Sequence, residues 1–185
     1  DHFYDLTPAK ETITWLQSLR IPVILCTSKT KSEVRIIRDD LNLKDPYIVE
    51  NGGAIYGEYS DGKEWEIILG KSYNNLEKIL NNLSDNINFK LRPLNTLSDD
   101  EATNLTGLQG DSLNLMRDRH WSMPFLNPPD TFDEDLKRLC EIYDVDIFRG
   151  NRMSHLLSKN SNKGIAIKTL LNKNKNLNVQ IIGLG

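Results

Sequence analysis

Two short apolar runs bracket one amphipathic segment near the start of the chain, and that order constrains the fold more than any other feature. Residues 21–26 and the trio Tyr47, Ile48 and Val49 are rich in β-branched and aliphatic side chains. Continuous apolar runs of this length suit strands covered on both faces, the situation of a parallel sheet. Between them Val34, Ile37 and Leu41 recur at helical spacing over residues 32–41. Strand, helix, strand in this order predicts a βαβ unit, because parallel neighbours need a crossover of about this length. Upstream, Thr7 followed by Pro8 reads as a helix start, a hydroxyl cap with proline at the first helical position. Ala9, Ile13 and Leu16 then share a face.

The middle of the chain follows another grammar. Residues 54–59 and 63–69 flank Ser60, Asp61 and Gly62, a hairpin signal. Leu76, Ile79, Leu80 and Leu83 mark a helix, and residues 89–92 predict a strand. Ser98 with Glu101, and Thr131 with Glu134, have capping-box spacing. The first predicts a helix ending near Gly107, with a further helix over residues 111–119. The second predicts a helix carrying Phe132, Leu136, Leu139, Cys140 and Tyr143 on one side. Residues 121–126 read as a strand that Pro124 confines to an edge or bulge, and residues 145–148 and 153–157 as a hairpin. This is an α+β pattern. After a polar loop at 158–162, residues 164–171 predict a helix with Ala166, Ile167, Leu170 and Leu171 inward. A Lys/Asn loop over 172–178 and a buried strand over 179–182 complete the chain. The expected class is therefore α/β: a Rossmann-like core with a parallel sheet, built from residues 1–70 and 158–185, interrupted by an inserted α+β cap at 71–157.

At 185 residues, 38% hydrophobic and 26% charged, the chain can bury a sizeable core. Its net charge of −3 argues against a dedicated nucleic-acid binder. No apolar run approaches the roughly 20 residues of a membrane span, and no signal peptide is evident. Cys26 and Cys140 lie in apolar segments without metal-ligand spacing, which predicts buried free thiols of a reducing compartment, the cytoplasm.

Four segments have the chemistry of a site. Thr27, Ser28 and Lys29 follow a predicted strand, at the edge where open α/β sheets bind ligands. A threonine hydroxyl and the next backbone N–H can both donate to a phosphate oxygen, and the lysine adds charge. The same hydroxyls equally suit capping of the next helix. Asn51, Gly52 and Gly53 follow the next strand after Glu50, where glycines permit close backbone approach to a ligand. An ordinary turn has the same composition. Lys163 and Gly164 open a helix, where a lysine opposes the dipole unless an anion sits there. A solvated loop lysine is the alternative. Gly183-Leu184-Gly185 suits either a phosphate site or the start of a dinucleotide fingerprint.

Taken in order these segments resemble the mannosyl-3-phosphoglycerate phosphatase family of the haloacid-dehalogenase superfamily. The resemblance rests on Pro22-Val-Ile-Leu-Cys-Thr-Ser-Lys-Thr30, on Asp45-Pro46 through Glu50-Asn51-Gly52-Gly53, and on Leu105-Thr106-Gly107-Leu108. It continues through Arg119-His120-Trp121-Ser122-Met123-Pro124-Phe125, Phe148-Arg149-Gly150-Asn151-Arg152 with His155, Lys163-Gly164, and the final Gly-Leu-Gly. It covers nearly the whole chain.

The resemblance implies a magnesium-dependent phosphatase acting on a small sugar phosphate, mannosyl- or glucosyl-3-phosphoglycerate, through an aspartyl-phosphate intermediate. It implies Thr27 and Lys163 as catalytic groups, with Ser28, Lys29, Asn51, Gly52, Arg119 and Arg152 binding substrate, either arginine gripping the glycerate carboxylate. It places the nucleophile motif just upstream of Asp1 and the acidic Mg2+ motif just after Gly185. On that basis no metal ligand lies within the chain and the 185 residues alone are expected to be inactive. Met123 stands where the family has an acid, and Asn151 replaces a glycine, so the sugar is open. Other readings are another phosphatase of the superfamily, such as one acting on sucrose phosphate, a dinucleotide-binding domain, or a non-catalytic sugar-phosphate binder.

Overall fold

In the computed structural model of the chain, which describes residues 6–173 and 180–183, the Thr7-Pro8 pair does open a helix, α1 (Thr7–Ser18). Thr7 lies inside it, however, and the cap position falls to Leu6 without a side-chain bond. Helix α2 (Lys31–Asp40) is capped at Thr30: its Oγ1 accepts from Glu33 N at 3.1 Å, and Glu33 returns a bond to Thr30 N at 2.8 Å. Val34 is buried on the inner face of α2.

Residues 21–26 form no ladder beyond a single parallel bridge, Cys26 to Ile48. The physical reason lies in the donors: Pro22 has none, and Val23 N donates to Asp45 Oδ2 at 2.9 Å instead. The parallel pattern survives as Ile48 N to Leu25 O (2.8 Å) and Thr27 N to Ile48 O (3.1 Å). Strands β1 (Tyr47–Val49), β2 (Ala54–Glu58) and β3 (Glu64–Ile68) form an antiparallel sheet in that order. Both faces of β1 and β2 are covered. Val34, Tyr47, Val49 and Tyr56 cluster on one side with Trp121, and Ile48, Ile55, Ala166 and Leu170 on the other.

The second sheet follows helix α3 (Tyr73–Asn86) and the short helices α4 (Asp99–Thr106) and α5 (Gly110–Arg117). The capping box at Ser98 is present, and Gly107 ends α4 at φ 78°. Residues 89–92 are not a strand. Ser84 captures Phe89 N and Leu91 N, and only Pro93 bridges to Phe125. Strand β4 (Met123–Leu126) lies at a sheet edge, as Pro124 requires. The Thr131 capping box does not form. A 3-10 turn over Asp130–Phe132 delays helix α6 (Asp133–Tyr143), whose first turn holds three acids that complement the dipole. Strands β5 (Val145–Arg149) and β6 (Met153–Ser158) complete the sheet in the order β4-β6-β5. Leu76, Leu80, Leu83, Phe125, Leu136 and Leu156 belong to its core.

Helix α7 (Lys163–Lys173) returns to the first sheet through Ala166 and Leu170, while Ile167 turns outward, 36% exposed. The strand expected over 179–182 is not seen at residues 180–182, where Ile181 and Ile182 are exposed and no ladder partner exists among the described residues. Val179 and residues 174–178 lie outside the described residues, as do Leu184 and Gly185. Cys140 is buried and Cys26 half-buried, and both are free thiols. The result is a mixed α/β protein. No described helix is long and apolar enough to cross a membrane.

Candidate active site

Three loops meet beyond the carboxyl end of β1. The first carries Thr27, Ser28 and Lys29. The second, Glu50–Gly52, turns through two left-handed non-glycine residues, Glu50 (φ 48°) and Asn51 (φ 59°). Two backbone bonds tie them: Asn51 N to Thr27 O and Glu50 N to Lys29 O, both 2.9 Å. The third loop, residues 158–162, leads into α7, where Asn162 Oδ1 accepts from Ile165 N at 2.9 Å and so caps the helix. Gly52 explains how close the second and third loops come. A Cβ there would lie 2.3 Å from the carbonyl carbon and oxygen of Asn162 and 2.8 Å from Lys163 N. At φ 99° only glycine is relaxed in any case.

The loops wall a cleft of about 480 Å³. Ser28, Asn51, Asn162, Lys163 and Gly164 line one side. Phe148, Arg149, His155 and Leu157, from β5 and β6 of the second sheet, line the other. Of the residues expected at a site, Ser28, Asn51 and Lys163 are therefore brought together. Thr27 stands one residue behind Ser28. Its Oγ1 accepts from Lys29 N at 3.2 Å, which uses a lone pair and leaves the hydroxyl proton for donation. Gly52 shapes the loop junction.

The remaining expected residues sit elsewhere. Lys29 Nζ pairs with Glu33 at 3.2 Å and does not line the cleft. Arg152 Nη1 donates to Thr106 O at 2.8 Å, also away from the lining. Arg119 is buried, its Nε donating to Met116 O (3.1 Å) and its Nη1 to Ser28 O (3.1 Å) and Ser122 Oγ (3.0 Å). It reaches the first loop from behind.

Three lining or supporting groups were missed as site residues. Arg149 lines the cleft with its guanidinium bonded to Asp130, Asp133 and Pro128 O. His155 lines it as well, and its Nδ1 is buried without a partner among the described residues. Glu50 is fully buried, its carboxylate accepting from His120 N (2.9 Å), Trp121 N (3.0 Å) and Ser122 Oγ (2.7 Å). An acid directly after an all-apolar strand was the available clue to Glu50; nothing in the sequence marked Arg149 over Arg152.

The electrostatics favour an anion. Lys163 acts on the Cys26 thiol, partly offsetting the rise that burial causes. Burial, then the charge of Arg119, push His155 down to about 4, so it is neutral near pH 7. None of the lining residues is a carboxylate. Among the described residues no three His, Cys, Asp or Glu side chains are grouped to hold a metal. The lining therefore fits an anion and does not by itself fit the magnesium that the family resemblance implies.

A cleft lined by Lys163 and Arg149 and by no carboxylate, at the loop ends of the first sheet of a mixed α/β fold, has the charge to accept an anionic group. A family profile described as haloacid dehalogenase-like hydrolase matches residues 6–118, well over half of the chain, and the chain belongs to that family. It is similar to the glucosyl-3-phosphoglycerate/mannosyl-3-phosphoglycerate phosphatase of Persephonella marina, 29% identical over 176 residues. That match covers 90% of this chain and 64% of the relative, so the chain spans somewhat under two thirds of its length. The fold is shared with Thermoplasma acidophilum 0175 (TM-score 0.64, 20% identity, covering 91% of this chain and 63% of that one). It is shared too with the Synechocystis sucrose-phosphatase solved with sucrose and phosphate (TM-score 0.59, 15% identity, covering 94% and 66%).

Proposed function

We propose that the protein acts as a phosphoric monoester hydrolase on a small phosphorylated glycoside, glucosyl- or mannosyl-3-phosphoglycerate, with residues 71–157 serving as an inserted cap over the core. One observation carries the reading: Ser28, Asn51 and Lys163, from three separate loops, face one carboxylate-free cleft between the two sheets.

The phosphoryl group sits against the core side. The Thr27 hydroxyl and the Ser28 N–H each donate to a non-bridging oxygen, and Asn51 donates through its side-chain amide. Lys163 opposes the charge that grows on the phosphoryl oxygens as the ester bond breaks, where a fixed cation is most effective. The opposite wall, Phe148, Arg149 and His155, faces the glycoside. A neutral imidazole suits a hydroxylated ligand, since it offers one donor and one acceptor. The ester P–O bond is replaced by a bond to water oxygen, and the glycoside leaves as its alcohol. The name of the Persephonella relative supports the substrate.

The test is phosphate release by the full-length gene product, with magnesium supplied, from glucosyl-3-phosphoglycerate, mannosyl-3-phosphoglycerate and sucrose phosphate. Preference for either glycerate ester by at least about tenfold in kcat/KM is expected, and Lys163→Ala should lower kcat about 100-fold. Preference for sucrose phosphate would move the assignment to the other superfamily branch, and inertness toward all three would end it.

A further inference from the structure

We infer that Glu50, Ser122 and Arg119 form a buried latch that fixes the first two cleft loops relative to the cap strand β4, which makes them positioning residues of the cleft. The chain of bonds is continuous and its directions agree. Arg119 Nη1 donates to Ser28 O of the first loop (3.1 Å) and to Ser122 Oγ (3.0 Å). Ser122 donates onward to Glu50 Oε2 at 2.7 Å. Glu50 also takes His120 N and Trp121 N, so one carboxylate of the second loop holds residues 120–122.

Burial gives the latch its force. Glu50 and Ser122 are fully buried and Arg119 is 9% exposed. A buried carboxylate persists only when it is fully bonded and matched in charge. Among the described residues the three bonds to this carboxylate come from residues 120–122, and Arg119 reaches it through Ser122. The second loop holds Glu50 and Asn51 in left-handed backbone, a conformation kept only where its surroundings over-determine it. The three bonds to Glu50 supply that constraint one residue before Asn51, which faces the cleft.

Trp121 adds a wedge. Its Nε1 donates to Tyr56 OH at 3.0 Å, and its Cβ would lie 2.4 Å from a Cβ at Gly53, so that glycine makes room for it. Residues 119–122 run directly into β4, which pairs with β6 and its His155. Displacement of the cap sheet is thereby transmitted to Ser28 and Asn51. The functional meaning of the latch rests on the proposed phosphoryl site, but its existence is testable without ligand.

The experiment measures amide exchange at Glu50 and Asn51, whose N–H groups bond to the first loop, with Ile55 of β2 as the internal reference, in the full chain and in Glu50→Gln and Ser122→Ala. Dissociation constants for inorganic phosphate are measured on the same samples. Exchange at Glu50 and Asn51 should quicken at least tenfold with Ile55 unchanged within twofold, and phosphate should bind five- to tenfold more weakly. Exchange that is unchanged, or that rises equally at Ile55, overturns the latch, since a merely structural role would loosen everything together. Ser122→Ala removes one oxygen at nearly constant volume and carries the test if Glu50→Gln does not fold. A parent chain that ignores phosphate yet shows the coupled exchange keeps the latch and rejects the proposed site.

Discussion

His155 sits opposite Pro124 and Phe148 in its sheet, with Arg119 close enough to raise the cost of a second positive charge. Its folded pKa of about 4 lies below the ordinary 6.5. Between those values the unfolded chain binds a proton that the folded chain refuses, so stability falls as pH drops through that window. The penalty is absent above pH 6.5 and grows to at most about 3.5 kcal/mol below pH 4. His155→Gln should flatten the loss of stability from pH 6.5 to 4 relative to the parent, read from urea midpoints; parallel curves would mean that His155 titrates normally. Residue identity alone could not reveal this. A histidine in a hairpin acquires its character from burial first and from the arginine across the fold second, and the same tertiary placement separates Arg149, in the cleft wall, from Arg152, on Thr106 O.

Between elements, the junctions are built from small groups. Thr30 caps α2 while its hydroxyl donates to Leu115 O of α5 at 2.7 Å. Thr30→Val should therefore cost about 2 kcal/mol, a lost cap plus an unpaired carbonyl, whereas Thr30→Ser should stay within about 1 kcal/mol; equal losses by chemical denaturation would contradict the double role. Gly52→Ala places a Cβ against the Asn162–Lys163 peptide at positive φ. It should cost about 3 kcal/mol and weaken phosphate binding, because the second and third loops must separate; a variant of parental stability would show that they are not in contact. Local spacing found the Ser98 box but also suggested one at Thr131, where the preceding 3-10 turn takes the first residues out of the helix.

At the scale of the molecule, sequence periodicity identified the elements whose partners are near in the chain. The hairpins β2–β3 and β5–β6 and the helices α3 and α6 follow from alternation and helical spacing. Residues 21–26 are continuously apolar and 89–92 alternate apolar with basic, both strand-like patterns, yet Pro22, Asp45 and Ser84 redirect their amides, so local pattern alone misjudged them. The cleft was legible because each of its three loops follows or precedes a recognisable element. The Glu50 latch was not, because its three partners lie about seventy positions away. Titration of the chain with inorganic phosphate, followed by backbone amide shifts, tests the convergence of those loops most directly. The amides of Ser28, Asn51 and Lys163 should move together and saturate with one dissociation constant, and Lys163→Met should abolish the response. Shifts confined to a single loop, or none at all, would contradict a shared anion site.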